Sequence, residues 1–402
     1  MSPNRIQASH RLWTTQLPAV KPFYAVKCNP EPQLLNTLYD AGVNFDCASE
    51  RELMAVRQLA RGPVASRIVY ANPCKSERDL VAAREMDAPV TVVDSAEEVE
   101  KLAAGGGYEG GALVRLAVDD TASAMPFSTK FGCGAVEDLK RILDVAAALK
   151  VRLRGVSFHV GSGCSDGVAY TRAIAQAAEA IVPMRAAGHD ADVLNIGGGF
   201  LPDEADFRRK ALHIRGALME LGGRGLQLWA EPGRFFATDS MDLFVQVIGK
   251  KAAAKGYKYT LDDSLYGQFS SILFDYAKPT WVRVGAQKVL AGAGPRRPSP
   301  GVLFGRTCDS VDVIARAEEM EELEVGDWLW WPRMGAYTRA TASEFNGFPT
   351  PPVMVARGDG LPAADEILKD PAVYHALPGG VVYMPPVSAR AFWAAGVRPG
   401  KN

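Results

Sequence analysis

Eight short apolar runs, each followed by a turn and then by a helix-like stretch, constrain this chain more than any other feature. The runs lie at 23–26, 43–45, 68–71, 90–93, 112–118, 156–160, 193–196 and 226–230. β-branched and aromatic residues dominate them and polar or Gly-containing turns bound them, which is the pattern of buried strands. Between them, stretches such as 49–60, 76–86, 95–103 and 136–149 carry apolar residues at three- and four-residue spacings, as a helix packed on one face requires. Parallel neighbours in a sheet need such crossovers. Eight repeats predict an α/β fold, a TIM-like (β/α)8 barrel, whose usual size of about 250 residues fits positions 1–240.

The texture changes after 240. Runs at 243–248, 257–261, 280–284 and 328–331 are strand-like, long helical patterns become rare and turn residues become frequent. A chain of 402 residues exceeds what one core organises. A β-rich C-terminal domain, sandwich-like or barrel-like, is therefore predicted over 241–402. The segment 292–301 (GAGPRRPSPG) is dense in Pro, Gly and Arg, and the expectation there is a mobile surface loop.

A net charge of −1, with 45 basic and 46 acidic residues, gives no field to gather nucleic acid or anionic lipid. No stretch approaches the roughly 20 apolar residues of a membrane span, and the first residues lack the apolar core of a secretory signal. These features point to a cytoplasmic protein acting on a small molecule. The six cysteines are scattered without a CxxC pair and read as free thiols.

In a (β/α)8 barrel the chemistry sits at the C-terminal ends of the strands. The residues there are unusually polar: Lys27; Asp46 and Ser49; Asn72; Asp94; Arg115; His159 and Ser162; Gly197, Gly198 and Gly199; Glu231, Pro232, Gly233 and Arg234. The triglycine turn can bring backbone N–H groups close to an anion because no Cβ intervenes. It follows run seven, where barrels commonly bind phosphate, and Arg234 after run eight adds a charged fork. A turn that only needs positive φ would read the same way. A phosphate site opposite Lys27 suggests a phosphorylated aldehyde cofactor held by the lysine amine. Glu231 could then face a pyridine nitrogen and keep it protonated, or could simply pair with Arg234.

Seven segments together, beginning Phe23-Tyr-Ala-Val-Lys-Cys-Asn, resemble the eukaryotic-type ornithine decarboxylases, the group that joins an alanine-racemase-like barrel to a β domain. The others are Phe45-Asp-Cys-Ala-Ser, Ile68-Val-Tyr-Ala-Asn-Pro-Cys-Lys, Ser157-Phe-His-Val-Gly-Ser-Gly-Cys, Glu231-Pro-Gly-Arg, Thr307-Cys-Asp and Met334-Gly-Ala-Tyr. The resemblance runs from about 12 to 348. It implies pyridoxal phosphate bound to Lys27, with His159 stacked on the ring and Glu231 at its nitrogen. It also implies that Ser162, Gly199, Arg234 and Tyr337 hold the phosphate, and that Asp275 and Asp309 receive the distal ammonium of the substrate. Cys308 would protonate Cα after carbon dioxide leaves; a small buried apolar role is the commoner fate of cysteine. In the family Cys308 and Asp309 come from the partner subunit, which implies a head-to-tail homodimer with two shared sites. The activity implied is conversion of ornithine to putrescine, within polyamine synthesis.

The chain departs from that pattern in three places. It begins only about two dozen residues before Lys27, where the family has a strand of the β domain. The expectation is a sheet with fewer strands or a start further upstream. Phe274 replaces a usual Tyr before Asp275, and Tyr276-Ala-Lys278 replaces His-Ala-His. The last two flank the substrate end, so lysine or arginine decarboxylation stays open as an alternative. A racemase on the same fold has only the fold in its favour. A non-catalytic regulator resembling antizyme inhibitors is the alternative from another class, against which stand Lys27, His159, Glu231, Arg234, Cys308 and Asp309.

Overall fold

The computed structural model describes residues 1–59, 62, 64–87, 89–104, 108–134, 136–222, 225–284 and 296–356. Two compact units result: Ile6–Thr238, and Met1–Arg5 together with the described part of Asp239–Asn402.

In the first unit all eight expected strands form: β1 (Val20–Ala25), β2 (Asn44–Cys47), β3 (Ile68–Tyr70), β4 (Val90–Val93), β5 (Ala112–Leu116), β6 (Leu153–Phe158), β7 (Val193–Asn195) and β8 (Gln227–Ala230). They close into a parallel barrel in the order β1-β8-β7-β6-β5-β4-β3-β2. Phe23, Val69, Val92, Leu113, Val193 and Trp229 fill its interior, each contributing roughly 1.5–3 kcal/mol by burial. A filled interior is no pore, so only the mouth is open to chemistry.

The crossover helices are α2 (Pro32–Asp40), α3 (Glu50–Leu59), α4 (Glu77–Glu85), α5 (Ala96–Ala104), α6 (Val136–Ala148), α7 (Gly167–Ala186) and α8 (Glu204–Glu220), and a further helix, α1 (Pro3–Gln16), precedes β1. Local signals start them: Ser76 and Asp79 form a capping box on α4, and Asp203 accepts the Asp206 N–H at 2.7 Å on α8. Helix α1 has no counterpart among the sequence expectations. Its Trp13 is fully buried, donates to the Val20 carbonyl at 2.9 Å and stacks on Phe207 of α8 at 5.4 Å.

The second unit is built on one six-stranded mixed sheet among the described residues, where the sequence suggested a sandwich or barrel. Its strands are β9 (Leu243–Ala252), β10 (Tyr257–Leu261), β11 (Val282–Val284), β12 (Pro298–Phe304), β13 (Val313–Glu321) and β14 (Trp328–Trp331), in the order β11-β14-β9-β10-β12-β13. The long β9 carries a bulge between Val247 and Gly249 and pairs with β14 along its first half and β10 along its second, so one strand serves two ladders. Leu243, Val245, Val247, Tyr259, Leu261, Leu303, Leu329 and Trp331 form its core. Met1 belongs here too: its amine donates to the Met354 carbonyl at 2.6 Å, and its carbonyl accepts the Ala356 N–H at 2.8 Å.

The loop expected at 292–301 is corrected in part. Residues 298–301 open β12, while 292–295 lie outside the described residues. Pro298 and Ser299 pair only with β13, ahead of the Gly301 at which β10 joins, and a register shift follows between Ser299 and Gly301. On that one-sided stretch the missing proline N–H breaks no ladder on the open side.

Candidate active site

Strand ends deliver the polar groups to one barrel mouth. Lys27 lies in a 3-10 turn (Val26–Cys28) directly after β1. Its Nζ is 2.5 Å from Oδ2 of Asp46, whose side chain is fully buried while that of Lys27 is 46 % exposed. Asp46 stands inside β2 and not after it, paired in register with Ala25 and Val69, so it projects into the mouth from the strand itself. Arg115 of β5 sits over the Phe131 ring at 5.0 Å. Its register partner Ser157 on β6 is in turn paired with Asn195 on β7.

His159 follows β6. Its Nδ1 accepts the Gly161 N–H at 2.9 Å, and its ring meets the edge of Phe127 at 4.9 Å. Burial first, then the charges of Arg115 and Lys27, hold its pKa well below the ordinary histidine value, so the ring is neutral and an acceptor at Nδ1. Ser162 heads a short strand (Ser162–Cys164) paired antiparallel with Ser123–Met125, and its Oγ accepts from the Arg234 guanidinium at 3.0 Å. Arg234 opens a one-turn helix after Gly233, where a Cβ would come within 3.0 Å of the Cys28 Cβ. The Pro232 carbonyl accepts the Ala25 N–H at 3.4 Å, tying the end of β8 back to β1.

The triglycine turn requires glycine. Gly197 and Gly199 have φ of +65° and +99°, and a Cβ on Gly197 would lie 2.1 Å from the Phe158 carbonyl oxygen. A Cβ on Gly198 would lie 2.8 Å from both the Glu231 carbonyl oxygen and His159 Nε2. Tyr170 of α7 donates to the Gly198 carbonyl at 2.8 Å. Positive φ at Gly197 and Gly199 and close packing against Phe158, Glu231 and His159 thus each require glycine here.

Glu231 accepts from the Asn195 amide at 2.6 Å, while Ser162 takes a guanidinium nitrogen of Arg234. Burial first, then Asp46, push the Glu231 carboxyl up to about 7, against Lys27, the Asn195 bond and Arg115, which lower it. For Arg115 burial is the main influence and lowers its pKa, while the surrounding carboxylates raise it. The sequence reading missed Asn195, Tyr170, Phe127 and Phe131 as supports of the site. Only Asn195 had a local signal, its place at a strand end just before the glycines.

The remaining expected residues lie in the second unit. Asp275 follows a short helix (Ser271–Phe274) and is half-buried; Phe274 and Tyr276 beside it are 63 % and 73 % exposed. Asp309 Oδ1 accepts the Val311 N–H at 3.0 Å, and its Oδ2 accepts the Tyr266 hydroxyl. Tyr266 stacks on Phe345 at 4.4 Å. Cys308 is exposed, not a buried apolar residue, and its N–H donates to the Asn346 side-chain oxygen at 3.0 Å. Asp312, buried behind it, accepts from Thr307 Oγ1 at 2.6 Å and from the Leu265 N–H at 2.8 Å. Tyr337 holds a left-handed backbone, φ 53°. All six cysteines are free.

The mouth suits a phosphorylated pyridine aldehyde. Asp46 Oδ1 and Ser157 Oγ are buried there without a hydrogen-bond partner among the described residues, and buried polar atoms of native proteins ordinarily have one. The lysine amine could take an aldehyde, and the side-chain-free turn and the Arg234–Ser162 pair could take a phosphate. Residues 3–238 match the family model for the pyridoxal binding domain of pyridoxal-dependent decarboxylases. The chain belongs to that family.

This family member is a decarboxylase, and its cofactor is pyridoxal phosphate. The chain is 38 % identical over 357 residues to the probable ornithine decarboxylase of Dictyostelium discoideum, spanning 85 % of this chain and 75 % of that protein. It is 36 % identical over 372 residues to antizyme inhibitor 2 of Xenopus laevis, spanning 86 % and 78 %. The crystal structure of the Paramecium bursaria Chlorella virus arginine decarboxylase superposes with a TM-score of 0.80 at 35 % identity, covering 86 % of this chain and 92 % of that one. No helix among the described residues is long and apolar enough to cross a membrane.

Proposed function

We propose that this decarboxylase converts L-ornithine to putrescine, within polyamine synthesis, as a cytoplasmic homodimer with shared sites. One observation carries the proposal: the Lys27 amine, 2.5 Å from a buried Asp46, opens on the same barrel mouth as the triglycine turn and the Arg234–Ser162 pair. Lys27 would hold the cofactor aldehyde, and Gly197, Gly198, Gly199, Ser162 and Arg234 its phosphate. His159, neutral, would lie against the ring without adding charge to it. Glu231, as a carboxylate, would keep a proton on the ring nitrogen, while Asp46, Arg115, Pro232 and Gly233 line the same mouth. When bound, the protonated ring supplies an electron sink for the pair that departing carbon dioxide leaves at Cα.

Asp275 and Asp309 bind the distal ammonium, which selects an amino acid with a second amine. The exposed Cys308 thiol gives its proton to Cα, and solvent reprotonates the thiolate. Support for a second copy covering these residues is the apolar surface around them: Phe274, Tyr276 and Val311 are all more than 60 % exposed. The Phe274 ring lacks a hydroxyl at the substrate end, and the likeness to a viral arginine decarboxylase keeps arginine and lysine as the second reading.

The test is carbon dioxide release by the purified protein with pyridoxal phosphate and ornithine, lysine or arginine. Highest kcat/KM on ornithine supports the proposal; preference for either other amino acid replaces it. A non-catalytic regulator would release none and would show no bound-cofactor absorbance that disappears in Lys27→Ala.

A further inference from the structure

Asn195 is the last residue of β7 and fully buried. Its Nδ2 donates to Glu231 Oε1 at 2.6 Å, and its Oδ1 accepts the Gly197 N–H at 3.0 Å. The Glu231 N–H donates in turn to the Gly197 carbonyl at 2.7 Å. These bonds join the ends of β7 and β8 into one closed unit. The amide orientation is set by chemistry: a flipped amide would place its oxygen against a carboxylate and its NH2 against a backbone N–H, two mismatches at once.

We infer that Asn195 is a positioning residue for the reaction, a single side chain that holds the Glu231 carboxylate in its charged, ring-facing orientation while fixing the first glycine of the phosphate cradle. The inference rests on the reading of Glu231 under the proposed function and adds what sets that group. An amide nitrogen can only donate, so its bond favours the carboxylate over the carboxylic acid. The other groups facing Glu231 are Asp46 from β2, Lys27 after β1 and Arg115 from β5, with neutral His159 beside Gly198. Burial and Asp46 oppose the charge, while Lys27, Asn195 and Arg115 favour it. The balance is close to neutral pH, so removal of one donor moves Glu231 across the working range.

The test compares wild-type holoenzyme with Asn195→Leu, which keeps the bulk and removes both bonds, and with Asn195→Ser, a smaller change should the first variant not fold. Pyridoxal phosphate affinity is measured by fluorescence across neutral pH, beside kcat/KM. Loss of one charge-assisted hydrogen bond should weaken cofactor binding about tenfold and move the acid-side decline upward by about one pH unit. In a Glu231→Gln background that acid-side decline in binding should be absent, with or without Asn195. Folded variants whose affinity and acid-side decline match wild type would overturn the inference, as would a shift that persists in the Glu231→Gln background. Wild-type protein that neither binds the cofactor nor releases carbon dioxide would instead overturn the proposed function.

Discussion

Gly198→Ala adds one methyl to the site and little else. The backbone at Gly198 is not left-handed, so alanine meets no φ penalty there, unlike at Gly197 or Gly199. The new Cβ would sit 2.8 Å from the Glu231 carbonyl oxygen and 2.8 Å from His159 Nε2, well inside van der Waals contact. The carbonyl has little room to yield, because the same residue's N–H is bonded to the Gly197 oxygen at 2.7 Å. The His159 ring must move, and its Nδ1 bond to Gly161 at 2.9 Å is strained with it. Overpacking of this size costs about 1–3 kcal/mol, or roughly 5- to 150-fold in an equilibrium constant. We expect that loss in pyridoxal phosphate affinity, read by titration of cofactor absorbance, with kcat/KM falling at least as far. Gly216→Ala is the control: nothing lies within 4 Å of its Cβ and it is exposed in α8, so it should leave affinity unchanged and add about 0.5–1 kcal/mol of stability. A Gly198→Ala protein with wild-type affinity and rate would refute the reasoning that His159 and the glycine turn form one tightly packed cofactor site.

Cys308→Ala should slow diamine formation or send the proton to the wrong carbon; a wild-type rate with clean product would show that the exposed thiol is not the donor. Pyridoxal phosphate affinity of the cofactor-free protein should fall as pH drops through about 7, because protonating Glu231 removes the acceptor for the ring nitrogen; a decline confined to the ordinary carboxylate range would contradict this. In the second unit, burial pushes the Asp263 carboxyl from 3.8 up to about 7. A raised folded-state pKa contributes stability below the unfolded value that is lost as pH rises through about 7. Asp263→Asn should therefore be the more stable protein on the alkaline side by roughly 2–4 kcal/mol, at 1.36 kcal/mol per pH unit. Thermal melts of both proteins at acid and alkaline pH check it, and parallel curves would contradict it.

The barrel was legible because its two periods alternate without interruption: β-branched runs such as Val90–Val93 admit no helix-like stripe, and 136–149 admits no strand. Helix α1 was not legible, since only Ile6 and Trp13 are buried along Pro3–Gln16, too sparse a stripe to stand out. Strand β12 was hidden by Pro298 and Pro300; the cost of Pro298 disappears because only one neighbour is present there. Strand β13 was hidden by Arg316, Glu318, Glu319 and Glu321, charges on a strand whose buried contacts come from Ile314 and Met320. Within the site, Asp46 was placed just past its strand because a carboxylate inside a strand runs against propensity; the Lys27 amine makes the position tenable. The role of Asn195 depends on Glu231, 36 residues later, lying on the adjacent strand end, and no local pattern carries that.

The most direct test of the central claim is borohydride reduction of the protein incubated with pyridoxal phosphate, followed by digestion and peptide mass mapping. A single phosphopyridoxyl label on the peptide containing Lys27 is the result expected. Label on another lysine, such as Lys75 or Lys130, or no stable label at all, would contradict the account.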